Sequence, residues 1–368
     1  MKKHQGKILV LFLVVLLVSF MSCENSFLKK MLVEEEKGKT VPEKPQAPFI
    51  EGGASLILSP DKLSIQVKAV TSDGSAIAVE GCTETELTSG AETVLHAIGT
   101  TVILKGNIIK LYCGSNQLTA LNVQGLTALQ WLSCDFNQLT ALNMQGLTAL
   151  EVLDCSYNQL TALNVQGLTA LQTLWCNNNQ LITLNVQGLT ALQELSCGGN
   201  QLTELNVQGL SALKKLSCRG NQLTALNVQG LSALQELNCH GNQLTALNVQ
   251  GLTTLYVLLC DNNQLTALNV QGLTALQTLW CYNNQLTADA FKKLFDDLPV
   301  RAEGNNTKCI LYTERTGVTE GNHTDFSAPP DLADAFNNAK ITRSGRCIRL
   351  MEAGRGLRFN VRGKSIKN

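Results

Sequence analysis

Leu129-Gln-Trp-Leu132-Ser-Cys134-Asp-Phe-Asn137-Gln-Leu139-Thr-Ala-Leu142-Asn-Met144-Gln-Gly-Leu147-Thr-Ala-Leu150 recurs along the chain, with few changes, at an interval of 21 residues. Its phase is marked by Cys113, Cys134, Cys155, Cys176, Cys197, Cys218, Cys239, Cys260 and Cys281. Three residues after each Cys stands an Asn followed by Gln-Leu: Asn116, Asn137, Asn158, Asn179, Asn200, Asn221, Asn242, Asn263 and Asn284. A fixed period of this size means stacked supersecondary units, none of which can bury its apolar face alone.

Each unit reads Leu-x-x-Leu-x-Cys-x-x-Asn-x-Leu. Leu132 and Cys134 are two apart, so both face one side of a short strand. A thiol there packs as a small hydrophobe. Nine is an odd number for disulfides, and Cys-x20-Cys is no zinc spacing, so the ladder reads as interior packing rather than as a metal site. The recurring Asn offers an amide to backbone groups at the turn leaving the strand, where a buried amide must be satisfied. Leu139-Thr-Ala-Leu142-Asn-Met144 repeats the Leu-x-x-Leu-x-apolar shape, so the unit has two nested halves. With Gln-Gly in its middle, the second half lacks the 3.6-residue period of a helix. Short extended segments are expected on both flanks of the coil.

Strand positions that do not face the core carry the variety. From four residues before each Cys to two after it, five positions per unit point elsewhere. All eight aromatics between 108 and 286 fall in them: Tyr112, Trp131, Phe136, Tyr157, Trp175, Tyr256, Trp280 and Tyr282. So do nine of the ten charged residues between 111 and 286, Glu204 being the exception. Alternation sends the residues three before, one before and one after each Cys away from the core. Grouped Trp and Tyr combine large area with a polar handle and mark a contact surface. Lys215 and Arg219, with Lys214, add a basic spot flanked by Glu194 and Glu236, with His240 beside it. Free drift at loosely constrained strand positions is the open alternative.

Composition narrows the function classes. Lys+Arg and Asp+Glu are 29 each in 368 residues, so no basic surface for nucleic acid is expected. Charged residues are 16% and hydrophobic ones 44%, which excludes a globally disordered chain. There are four His, no nucleophile elbow and no phosphate-cradling Gly loop. No catalytic residue, metal or cofactor is expected, and the oligomeric state is not legible.

The ends differ from the repeats. Lys2, Lys3 and Lys7 precede an apolar run over residues 8–18, shorter than the ~20 residues of a membrane span. Residues 1–23 therefore read as a signal peptide. Residues 24–50, with Glu34-Glu35-Glu36 and Pro42, Pro45 and Pro48, form a polar spacer. In 51–107, alternation over 63–68, a turn at Ser72-Asp73-Gly74, and then Ile77 and Val79 predict a β-hairpin within an N-terminal cap. The repeats fill 108–287. In 288–340, Phe291, Leu294, Phe295 and Leu298 fall at i, i+3, i+4 and i+7 ahead of Pro299, which predicts an amphipathic capping helix.

At the residues quoted for each unit the chain resembles leucine-rich repeats, with Cys in place of an aliphatic residue. Phe20-Met21-Ser22-Cys23 resembles a bacterial lipobox, which implies an acyl anchor on Cys23; a plain signal peptide is the alternative. Taken together, residues 1–340 resemble the leucine-rich-repeat surface lipoproteins of spirochaetes and oral bacteria, with repeats like those of internalin-like adhesins. The resemblance implies a solenoid of nine coils with a parallel concave sheet, held to a bacterial membrane at the outer membrane or cell surface. It implies an extracellular protein or glycoprotein partner on host matrix, host cell or another bacterium, and no catalysis. An envelope spacer without a ligand and a carbohydrate-binding module are the other readings.

From residue 341 the resemblance stops. Proteins of this kind end near Trp-Lys-Met-Tyr-Lys and then Ser-Gly-x-Trp-Val-Glu-Ile. Ser344-Gly-Arg-Cys347-Ile-Arg349 can be encoded TCT GGA AGA TGT ATA AGG, which two bases on reads Trp-Lys-Met-Tyr-Lys. Glu352 to Phe359 admits the same shift to Ser-Gly-Ala-Trp-Val-Glu-Ile. Residues 341–368 are therefore expected to be out of frame and without order.

Overall fold

The computed structural model describes residues 46–299, 308–314, 320–339 and 351–352. The expected signal peptide, Cys23 and nearly all of the spacer lie outside them. So does the tail, apart from 351–352.

The N-terminal strands are β1 (Gly53–Ile57), β2 (Ser64–Thr71), β3 (Ile77–Glu80), β4 (Glu86–Leu87), β5 (Glu92–His96) and β6 (Thr101–Lys105). Then come β7 (Ile108–Tyr112), β8 (Ala120–Asn122), β9 (Trp131–Ser133), β10 (Val152–Asp154), β11 (Thr173–Trp175) and β12 (Glu194–Ser196). The repeats close with β13 (Lys215–Ser217), β14 (Glu236–Asn238), β15 (Val257–Leu259) and β16 (Thr278–Trp280). After them stand α1 (Ala288–Asp297), β17 (Lys308–Ile310), β18 (Thr313–Glu314), α2 (Pro330–Asn338) and β19 (Met351–Glu352).

One twelve-stranded sheet runs in the order β17-β16-β15-β14-β13-β12-β11-β10-β9-β7-β2-β5. From β7 to β17 all its pairs are parallel, and equivalent residues stand side by side: Leu132 beside Leu153, Leu153 beside Leu174. The 21-residue period thus becomes columns of identical side chains. Each strand from β9 to β17 is three residues long, but inter-coil hydrogen bonds continue past it through Cys134 N–H to the Asp154 carbonyl and Phe136 N–H to the Ser156 carbonyl.

All nine ladder thiols are buried, as are the Leu columns. In the first coil the inward set is Leu111, Cys113, Leu118, Leu121, Val123, Leu126 and Leu129. Asn200 shows what the amide column does. Its Nδ2 donates to the carbonyls of Cys176 (3.0 Å) and Cys197 (2.9 Å), and its Oδ1 accepts from Leu181 N–H (3.0 Å). Each Asn therefore ties its own turn to the coil before it.

The other flank differs from expectation. A regular strand, β8, occurs only in the first coil, where it pairs with β1. Beyond it the flank is built of linked turns. Leu147 N–H bonds the Met144 carbonyl around Gly146, whose φ of 89° is the left-handed value that Gly adopts at no steric cost. A second, exposed ladder runs here, in which Gln187 Nε2 reaches the Asn206 carbonyl at 2.9 Å.

The predicted hairpin between β2 and β3 does not form. β2 joins the long sheet, antiparallel to β5 and β7, whereas β3 pairs with β4 and β6 in a second sheet. The turn at Ser72–Gly74 carries the chain from one sheet to the other, and the hairpin of the cap is β3–β4 instead. Asn116 has no coil before it and bonds both the N–H (2.9 Å) and the carbonyl (2.7 Å) of Gln66 on β2. The cap thereby mimics a preceding coil.

At the other end α1 follows its N-cap Thr287 and buries Phe291, Leu294 and Phe295, with α2 packed on it through Leu332 and Ala335. β17 adds a further strand: Cys309 takes the Leu column beside Leu279. Asn322 takes the amide role. Its Oδ1 accepts from Leu286 N–H, and its Nδ2 donates to the carbonyls of Cys281 and Leu311, all at 2.8 Å. Where the tail was expected to have no order, β19 lies parallel to β18.

Candidate functional site

Two columns face outward from the three-residue strands. The first runs Lys110, Trp131, Val152, Thr173, Glu194, Lys215, Glu236, Val257, Thr278. The second runs Tyr112, Ser133, Asp154, Trp175, Ser196, Ser217, Asn238, Leu259, Trp280. Tyr112, Trp131, Trp175 and Trp280 thus stand on the open face of the sheet, each partly exposed. Tyr112 and Trp131 lie with ring centroids 5.9 Å apart, and Lys68 Nζ from β2 sits 5.7 Å over Tyr112. The Trp175 indole N–H donates to Glu194 one coil on, at 2.9 Å. Among the described residues, the indole N–H groups of Trp131 and Trp280 are covered and meet no protein acceptor.

The other sequence candidates sit elsewhere. Arg219 and Tyr282 directly follow their Cys and belong to the turn rather than to the strand; Phe136 and Tyr157 lie one residue further along that ridge. The seven-residue strand window runs too far at these four, because the strand ends one residue before the Cys. Tyr256 precedes β15 on the opposite edge, and its hydroxyl donates to Glu236.

Lys215 is not a free cation. Its ammonium pairs with Glu236 at 3.1 Å, and that hydrogen bond holds it above its ordinary pKa. Burial works against the charge on Glu236, but bonds from Tyr256 and Lys215 hold its carboxyl below the usual value. The expected basic spot is thus largely a surface row of alternating charge, Glu194–Lys215–Glu236, with Lys214 and Arg219 outside it. Lys215 and Glu236 are 21 residues apart, so the repeat period already put them in one column.

A feature the sequence reading passed over is the pair His240 and Asp261, again 21 apart. The Asp261 carboxylate is fully buried and accepts from His240 Nδ1 (2.5 Å) and Asn262 Nδ2 (2.8 Å). The bond to Asp261 raises the His240 pKa.

The thiol column offers no nucleophile. Burial pushes the Cys113 and Cys218 thiols up to about 12, and the other seven also upward. Such thiols stay protonated and inert. Among the described residues no cluster of three or more His, Cys, Asp or Glu is placed to hold a metal. Among the same residues no helix is long and apolar enough to cross a membrane.

A family profile of leucine-rich repeats, in two copies, matches residues 148–189. No curated protein matches the chain. Among solved structures, the functional domain of InlJ from Listeria monocytogenes, which includes a cysteine ladder, is similar at 26% identity and a TM-score of 0.47 over 69% of this chain. A leucine-rich-repeat protein of Leptospira interrogans is similar at 29% identity and a TM-score of 0.49 over 61% of it. Internalin C2 of Listeria monocytogenes is similar at 27% identity, a TM-score of 0.41 and 46% of this chain, against 78% of its own. The first two alignments span 56% and 55% of those chains, so this chain corresponds to about half of each. The repeated Leu, Cys and Asn columns and the parallel sheet they build define the fold of this chain as a leucine-rich-repeat solenoid.

Proposed function

We propose that this solenoid is a non-catalytic binding protein, displayed outside the cytoplasm on a lipid anchor at Cys23. The open, concave face of its parallel sheet takes a macromolecular partner on host matrix, host cell or another bacterium. The observation that carries the reading is the distribution of variety. The inward columns are nearly uniform Leu, Cys and Asn, whereas Tyr112, Trp131, Trp175 and Trp280 occupy only outward positions of the registered strands. Large aromatics on a rigid surface lose little entropy on contact and dominate binding energy where they are enclosed. Parallel strands in register hold those rings at fixed spacing, so selectivity comes from shape and ring contact rather than from chemistry.

The chain displaying the repeats should be used to capture extracellular host proteins, alongside Trp175→Ala and Trp280→Ala variants. Capture is expected to weaken about ten-fold or more in the variants. Melting should be close to unchanged, because neither ring belongs to the core. No capture by the parent chain would instead identify the protein as an envelope spacer, capture undiminished in both variants would contradict binding through these rings, and capture of free glycans alone would identify a sugar-binding module.

A further inference from the structure

The residue two places after each ladder Cys holds a left-handed backbone in all nine coils. Three coils use Gly there (Gly199, Gly220, Gly241) and three use Asn (Asn178, Asn262, Asn283), the two residue types that adopt this conformation most readily. Phe136 and Tyr157 hold it at φ of 50° and 54°, where bulky side chains are outliers. Neither ring joins the core: they are 53% and 44% exposed. They stack on each other instead, centroids 4.2 Å apart and planes 9° from parallel, at the rim of the sheet. At this backbone position Gly or Asn is less strained than either ring.

Within the repeats, the charge flanking the pair has one sign. From 111 to 213 the chain has no Lys, Arg or His, yet carries Asp135, Glu151, Asp154, Glu194 and Glu204. Asp135 directly precedes Phe136 and accepts from the Ser133 hydroxyl at 2.7 Å. Asp154, on the neighbouring strand, accepts from Ser156 N–H at 3.0 Å and is near enough to Asp135 for their charges to interact. Cations stand on the cap side: Lys62, bonded to the carbonyl of Ser115 one coil before Phe136, Lys68 over Tyr112, and Lys110 on β7.

We propose that the Phe136–Tyr157 stack, with Asp135 and Asp154, is a docking platform for an arginine-bearing segment of a partner protein. A guanidinium lies flat on an outward ring face while its N–H groups meet the two carboxylates, a combination that a planar cation satisfies better than an ammonium. The proposal rests on the binding role given above and adds the chemistry of the partner at the N-terminal end of that surface.

The test uses the full chain and a short fluorescein-labelled alternating Gly-Arg peptide, with Gly-Lys and Gly-Glu peptides of equal length, read by anisotropy. Gly-Arg is expected to bind more tightly than Gly-Lys, and Gly-Glu not at all. Phe136→Asn with Tyr157→Asn should weaken Gly-Arg binding about ten-fold, and Gln208→Ala on the opposite flank should leave it unchanged. Asp135→Asn with Asp154→Asn should remove binding of both cationic peptides. The double aromatic variant should melt at the same temperature or higher, because Asn suits the left-handed backbone. Equal Gly-Arg binding by the double aromatic variant overturns the platform, as does no peptide binding to the parent chain. So does a lower melting point with binding intact, which would make the stack structural. Loss of host-protein capture in Trp175→Ala and Trp280→Ala with any of these results would overturn the platform alone and leave the broader binding role standing.

Discussion

Raising the pH from 8 to 10.5 under reducing conditions is expected to collapse the stability of the solenoid. The nine ladder thiols are buried and have folded pKa values raised well above the ordinary cysteine value by desolvation, with Cys113 and Cys218 at about 12. In the unfolded chain each titrates near 8.5. Above that pH the unfolded state binds fewer protons than the folded state, so stability falls as pH rises. The contribution is fully present below about 8.5 and is lost progressively toward about 12. Each thiol contributes a slope of about 1.4 kcal/mol per pH unit once its unfolded form is ionised, so nine unfolding together approach about 12 kcal/mol per pH unit. Denaturant midpoints measured at half-unit steps would show it. Replacing one interior thiol, Cys218→Ala, should reduce the slope by about a single thiol's share. A flat profile would mean that the thiols are not enclosed.

Asn200→Ala should cost about 3 kcal/mol, among the largest effects of any single substitution in the repeats. The change leaves Leu181 N–H without its acceptor inside the turn and takes one of two donors from each of the Cys176 and Cys197 carbonyls. A buried donor left without a partner costs about 1–3 kcal/mol, and each lost hydrogen bond adds about 1. Gln187→Ala removes a bond of similar length, to the Asn206 carbonyl, but on an exposed flank where water replaces it. Its effect should stay below about 0.5 kcal/mol. Paired urea melts of the two variants compare them directly, and equal effects would refute the structural role of the amide column.

How far the sequence was readable depended on whether the needed information was periodic. Leu132, Cys134 and Asn137 recur at 21-residue spacing, so stacking in register followed at once, and with it the inward thiols. Phe291, Leu294, Phe295 and Leu298 carried helical spacing over about two turns of chain, and α1 forms there. The partner of β2 was not readable, because alternation identifies a strand but not its neighbour. That choice rests on the distant Asn116, whose amide seats β2 against the first coil. The added strand at the C-terminal end was hidden for a similar reason: Asn322 follows Leu311 by eleven residues instead of three, although it makes the same three bonds. On the outward face, alternation counted from each Cys placed Trp131, Trp175 and Trp280. Phe136 and Tyr157 were assigned to the sheet because a left-handed residue after the Cys leaves no trace in hydrophobic alternation. Salt pairing of Lys215 was legible in principle, since residues 21 apart become neighbours across strands.

Under the proposed binding role, the arrangement separates stability from recognition. Leu, Cys and Asn columns hold the coils together, while the outward columns vary without touching the core. A surface of this kind can change partner by substitution at a few strand positions, with the ladder unaltered.

Peptide-mapped alkylation of the native protein at neutral pH tests the central claim, that the recurring thiols are interior filler and the aromatic columns therefore face outward. None of Cys113, Cys134, Cys155, Cys176, Cys197, Cys218, Cys239, Cys260 or Cys281 should be modified before unfolding, and all nine should be modified after it. Rapid native labelling along that column would place the thiols on the surface, turn the Trp and Tyr columns inward, and contradict the account.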